Sequence, residues 1–231
     1  MHYLGVDITD IGEEIGMGLR YHHLAFGPEA VVRQEAAGSI VAYGADLDEP
    51  DQGPQPLGDR ELALVRESFQ FHMATVTPSG WPYLQYRSGP IGFLHHLGGQ
   101  TIGFADHRGN QQFVSVGNIA DNGKVALFLA DLPLKRRLKV FGTARVVDAD
   151  DDPQLLDRLR DLGNGRRISA RCERSIVIEV EAFDWNCSRS LIPQYTDEAV
   201  RARIRPYIDE INDLRAQVDS LRARLEAVGE N

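Results

Sequence analysis

The sequence predicts a mainly β fold of the α+β class: a six-stranded, mostly antiparallel sheet closed into a barrel, with flanking helices and a C-terminal coiled-coil-like helix. Three observations carry this. Six runs between residues 71 and 185 have strand patterning. Hairpins dominate their order, and only one strand–helix–strand step is read as a possible parallel crossover, which suits a barrel better than a doubly wound sheet. In the tail, apolar residues recur at alternating steps of three and four, the spacing of a coiled-coil seam.

The chain has 231 residues, enough for one sizeable domain with attachments or two small ones. Residues 1–58 read as an N-terminal extension and linker. Within it, 27–38 has the form of a short helix, with Pro28 at its start and Gly38 at its end, and 44–58 is a proline-rich, acidic loop. A domain spanning 59–195 follows. Residues 59–69 form a helix that begins at Asp59 and presents Leu62, Val65 and Phe69 on one face. Strands 71–77 and 81–89 flank the turn 78–80 and make a hairpin. Strand 100–106, a helix over 110–122, strand 124–130 and strand 136–149 come next; in the last, Leu138, Val140, Gly142, Ala144 and Val146 share a face. A helix over 153–162 and a final strand over 175–185 complete the domain.

Residues 196–231 form the third part. Ile204, Tyr207, Ile211, Leu214, Val218, Leu221 and Leu225 hold a heptad seam for about three heptads, and Pro206 lies near its beginning. Two readings stay open: a terminal helix packed on its own domain, or a coiled coil with a second copy.

The formal net charge is −9, which disfavours nucleic acid as a partner, because such binding rests on neutralising phosphates. The basic run 135–139 sits inside a strand pattern rather than in a free tail. No stretch approaches the length of a membrane-spanning helix, and the N-terminus lacks the pattern of a signal peptide. Cys172 and Cys187 make no disulfide framework, so a reducing cytoplasm is the simplest compartment. The pairs His22–His23 and His95–His96 lack metal-ligand spacing, and no nucleophile elbow or phosphate-binding glycine loop occurs. The expectation is therefore no metal.

One corner stands out, "FADHRGNQQF" at 104–113. A strand ends at Asp106, Gly109 permits a left-handed backbone, and Asn110 suits the cap of the next helix. The first turn of a helix offers unpaired N–H groups and the positive end of a dipole, and such corners hold phosphates. By itself Gly-Asn before a helix is usually just a cap. On strand 81–89, however, Tyr83, Gln85 and Arg87 share one face, opposite Leu84, Tyr86 and Ser88. That polar face is either solvated or shaped for an anionic ligand.

The segments "TVTPSGWPYLQYRSGP", "IGFADHRGNQQFVSVGNIADNGKVALFL", "RRLKVFGTARVV" and "FDWNCSRSLIPQY" together resemble the pyridoxamine 5'-phosphate oxidase-like family of FMN-binding split barrels, over roughly residues 59–190. The resemblance implies a six-stranded split barrel, a cytoplasmic homodimer with FMN between its two subunits, and two sites per dimer. Gln85, Arg87, Asn110 and Gln111 would hold the phosphate or ribityl groups. The family's hairpin-strand arginine falls on Gln85, and its basic pair at the helix start falls on Asn110 and Gln111, which removes charge that Arg87 and Arg108 are placed to restore. Arg137, with Lys139 next on its face, would attend the flavin ring. Trp185, Asn186, Ser188 and Arg189 correspond to the family's tryptophan-and-arginine segment near the ring, although Trp185 reads equally as a core aromatic. Ser88 and Asp106 are further cofactor contacts, and Gln194 and Tyr195 would reach the partner's site. No catalytic residue is identifiable.

The function so implied is an FMN-dependent oxidoreductase that passes hydride or electrons from a nicotinamide or deazaflavin donor to a small acceptor or oxygen. The alternatives are a non-catalytic carrier or sensor of flavin or haem, and an empty barrel that only assembles. Oxidation of vitamin B6 itself is disfavoured by the altered basic residues.

Overall fold

A computed structural model describes residues 19–186 and 191–229. The chain divides into two compact units, Met1–Ser190 and Leu191–Asn231.

In the first unit, helices α1 (Leu19–Ala25), α2 (Pro28–Ala37), α3 (Ile40–Tyr43) and α4 (Asp59–Glu67) precede the sheet. The strands are β1 (Gln70–Val76), β2 (Pro82–Ser88), β3 (Leu94–Gly98) and β4 (Thr101–His107), then β5 (Lys124–Asp131) and β6 (Arg136–Asp148) after helix α5 (Val114–Asn122). Helix α6 (Pro153–Arg160), the small hairpin β7 (Asp161–Gly163) and β8 (Arg166–Arg167), and the long strand β9 (Cys172–Asn186) complete it. The main sheet has seven strands in the order β2-β1-β5-β6-β9-β4-β3, all antiparallel. The connection through α5 is thus no parallel crossover, since β4 and β5 are not neighbours.

Six of these strands match the predicted runs within a few residues; β3 is the addition. Its "LHHLG" carries two histidines and lacks polar–apolar alternation. The sheet curls so that its two edges approach: Phe71 of β1 packs against Phe104 of β4, ring centroids 5.4 Å apart, and against Phe93, which precedes β3, at 5.7 Å. The core fills the interior with Met73, Leu127, Leu129, Leu138, Ile176 and Ile178, all fully buried. They fall at every second position of their strands, which is how a half-buried sheet sorts side chains.

Close approach of β6 and β9 requires a glycine at position 142. The register slips there, with Phe141 opposite Ala182 but Gly142 opposite Val180. A Cβ on Gly142 would lie 2.6 Å from the Glu179 carbonyl oxygen.

Helix α4 is tied to the barrel by one buried carboxylate. Glu61 accepts the indole N–H of Trp185 at 2.5 Å through one oxygen and the Gly58 backbone N–H at 2.9 Å through the other. Glu61→Ala leaves the buried Trp185 indole N–H unmet and the part-buried Gly58 N–H without its acceptor, and the expected loss is about 2 kcal/mol, measured by urea unfolding. A loss below about 0.5 kcal/mol would show that water serves both donors equally well.

The second unit contains α7 (Asp197–Gly229), 33 residues long with Pro206 inside it. Its seam residues from Ile204 to Leu225 are all exposed. No described helix is long and apolar enough to cross a membrane.

Candidate functional site

The corner after β4 carries the candidate site. Arg108 and Gly109 turn the chain, and Gly109 takes φ +53°. Helix α5 starts at Val114, four residues later than the sequence predicts, because Asn110 does not cap it. Its side-chain oxygen instead accepts the Gln112 backbone N–H at 3.2 Å, a local turn that competes with helix. Gln111 and Phe113 both hold left-handed φ, 59° and 56°. Each costs on the order of 1 kcal/mol or more for a side-chain-bearing residue, and such conformations cluster at ligand sites. The first helical bond of α5 runs from Gly117 N–H to Phe113 C=O at 2.8 Å, so the amides of Val114, Ser115 and Val116 precede it. They have no intrahelical acceptor.

Side-chain hydrogen bonds fix α5 over the sheet. Asn118 donates to Thr75 of β1 at 2.8 Å with both groups buried, and Ser115 donates to Gln85 Oε1 of β2 at 2.8 Å. The second bond leaves the Gln85 amide nitrogen as a donor.

Beneath the corner lies a buried triad of charges. Asp106 is 4% exposed, and each of its carboxylate oxygens takes one arginine: Arg87 Nη1 on Oδ1 at 2.6 Å and Arg174 Nη1 on Oδ2 at 3.2 Å. Two guanidinium groups on one carboxylate leave a surplus positive charge. Further carboxylates temper it, since Arg174 also meets Asp148 and Glu173, each at 3.5 Å, and Arg108 meets Glu173 at 3.5 Å. Arg87 Nε is buried with no partner among the described residues. Arg174 lies 5.0 Å from the centre of the Phe113 ring, which covers it on one side.

A concavity opens over this triad, lined by Gln85, Arg87, Asp106, Asn110 and Gln111 among the predicted residues, and also by Tyr83, Arg108, Ser115 and Arg174. Its lining holds three arginines against one carboxylate. Both carboxylate oxygens of Asp106 are engaged in holding two arginines in place. Arg174 is not among the sequence candidates.

The other predicted residues lie elsewhere. Ser88 is exposed at the end of β2, on the face opposite Gln85 and Arg87. Trp185 is a core residue, 5% exposed, with Arg60 stacked 4.1 Å over its ring. Its indole is held in place by the bond to Glu61, 124 positions away in sequence. Arg137 and Asn186 face each other across β6 and β9, and Arg137 Nε is buried without a partner among the described residues. Asn186 stands twelve residues beyond Arg174 in the same strand, roughly 35–40 Å along it. Arg189, with Ser188 and Cys187, falls outside the described residues. Lys139 pairs with Asp184 at 2.8 Å. Burial pulls its ammonium pKa down, but hydrogen bonds to Asp184 and Tyr21 outweigh that and hold it above the usual lysine value. Burial pushes the Cys172 thiol pKa up. The described residues contain no cluster of side chains able to hold a metal ion.

A family model described as pyridoxamine 5'-phosphate oxidase matches residues 57–186. No curated protein matches the chain. Among solved structures, HupZ from group A Streptococcus is 17% identical, covering 60% of this chain and 99% of its own, with a TM-score of 0.44. A structure named F420 reductase is 24% identical over 55% of this chain and 98% of its own, with a TM-score of 0.40. General stress protein 26 from Bacillus anthracis is 15% identical over 55% and 91%, also with a TM-score of 0.40.

Proposed function

The chain belongs to the pyridoxamine 5'-phosphate oxidase family, and from that premise we propose that it binds FMN and works as a flavin-dependent oxidoreductase. The observation that carries the proposal is the pair of buried arginines on Asp106, set under the start of α5. A buried surplus cation beside free helix amides is matched by a phosphate dianion. The donors fit that group: the Arg87 and Arg174 guanidinium groups, the amides of Val114 to Val116, and the side-chain amides of Gln85, Asn110 and Gln111. Neutral amides stand where the family carries a basic pair, so the buried arginines supply the charge.

Arg137 and Asn186 suit the polar edge of the ring, and an unmet Arg137 N–H is the kind of donor that a flavin oxygen accepts. Asn186, with Arg137 opposite it, stands twelve residues along β9 from Arg174, which sets the two clusters apart within one protomer. A homodimer resolves this, with one copy holding the phosphate and the second contributing Arg137 and Asn186. Bound flavin would supply hydride transfer from a nicotinamide or deazaflavin donor and onward delivery to a small acceptor or oxygen. The chain's own residues bind, orient and charge-match.

Heat-denaturing the purified protein and analysing the supernatant by fluorescence and mass tests the reading. The expected result is FMN at one per chain after saturation. Failure to take up added FMN, or Soret absorbance in its place, would sink it. FMN that NAD(P)H or a reduced deazaflavin fails to bleach would leave a carrier rather than an enzyme.

A further inference from the structure

We infer that α7 pairs with α7 of a second copy as a parallel, in-register, two-stranded coiled coil. The seam places Ile204, Ile211, Val218 and Leu225 at heptad position a, and Tyr207, Leu214 and Leu221 at position d. β-Branched residues at a with leucine at d select two strands. Along the helix Ile211, Leu214, Val218 and Leu221 are between 45% and 54% exposed, a continuous apolar stripe. The occupant must match it over three heptads, and the same helix does.

Orientation follows from the flanking charges. Position e carries Arg201, Ile208, Arg215 and Arg222; position g carries Arg203, Glu210, Gln217 and Arg224. In a parallel pair, each g residue meets the e residue five places further along the other helix. Glu210 then meets Arg215 twice, once on each side of the pair, and Gln217 meets Arg222. An antiparallel pair sets e against e, bringing arginine to arginine. Among the described residues, the ion pairs within α7 are Arg201–Asp197 and Arg222–Asp219, so Glu210 and Arg215 are both available to the partner helix. Pro206 falls at position c, away from the seam, and the heptads from Tyr207 onward are uninterrupted by proline.

Disulfide trapping in the full-length chain tests this, in a Cys172→Ser, Cys187→Ser background. Leu225→Cys is expected to give a covalent dimer under mild oxidation, because parallel pairing brings residue 225 beside its own copy within the short Cα separation a disulfide needs. Mixing it with a size-tagged Ile204→Cys chain should give few mixed dimers, since 21 residues of helix separate these positions by about 30 Å. Adding Glu210→Lys should slow the Leu225→Cys cross-link several-fold, and adding Arg215→Glu as well should restore it. Predominantly mixed 204–225 dimers, or no cross-link from Leu225→Cys, would each overturn the inference. Cofactor content of the same preparations reports separately on the flavin reading, which stands or falls without this pairing.

Discussion

Asp106→Ala is expected to lower the stability of the barrel by about 3–5 kcal/mol, the range for removing one member of a buried charge cluster. The carboxylate is 4% exposed, and its two arginine partners are 15% and 9% exposed. Removing it strands two guanidinium groups that water reaches poorly, and they repel each other across the space it occupied. The loss therefore exceeds anything expected of a surface ion pair, for which about 0–1 kcal/mol is usual. Position makes the effect global. Arg87 is on β2, Asp106 on β4 and Arg174 on β9, so the triad ties an outer hairpin to strands across the barrel opening. Urea unfolding followed by tryptophan fluorescence reads the change, because Trp185 is buried. The double change Asp106→Ala, Arg87→Met should recover part of the loss, as one stranded cation is gone. A loss under about 1 kcal/mol for the single change, no more than a surface pair gives, would mean that Asp148 and Glu173 already neutralise the arginines.

The triad also marks where the sequence could be read and where it could not. Strands β1, β5 and β6 are legible because one face is buried and alternation writes itself into residue types; Leu138, Val140, Gly142 and Ala144 are inward as their spacing implies, whereas β9 is legible as an apolar run. Strand β3 is not, since its two histidines carry no alternation. The corner is legible as a corner, but the start of α5 is not, because Asn110 bonds within its own loop rather than capping the helix. Gln85, Arg87, Asn110 and Gln111 do come together, since one strand face and one turn place them by local geometry alone. Arg174 is invisible for the opposite reason. It meets Asp106 across 68 residues, and β9 begins earlier than its apolar run. A signal does exist: an arginine two positions before a nearly unbroken buried run must find a carboxylate. Trp185 illustrates the same limit, as a strand-end tryptophan reads alike whether it walls a ligand or fills a core, and only Glu61 decides.

Arg174→Met is expected to weaken FMN binding by about 10- to 100-fold while leaving riboflavin binding within about two-fold of the parent. The reasoning is charge arithmetic. With Arg174 present, Asp106 is shared and the triad carries a surplus cation; without it, Arg87 and Asp106 form a neutral pair. A hydrogen bond to a charged group in a shielded site contributes about 1.5–3 kcal/mol, which converts to roughly that factor. Methionine keeps most of the apolar stem, so the Phe113 contact and the packing of β9 against β4 persist. Riboflavin is the informative control because it has the ring and ribityl chain but no phosphate. If the corner grips phosphate, the gap between the two affinities narrows in the variant; flavin fluorescence quenching measures both. An equal loss for both flavins would place Arg174 at the ring or reveal general damage, and unchanged FMN affinity would remove the phosphate from this corner. Salt supplies an independent reading. An interaction buried to this depth is screened weakly, so the parent's preference for FMN over riboflavin should largely survive about 0.5 M salt, whereas a surface cluster such as Arg108 with Glu173 would lose its pull.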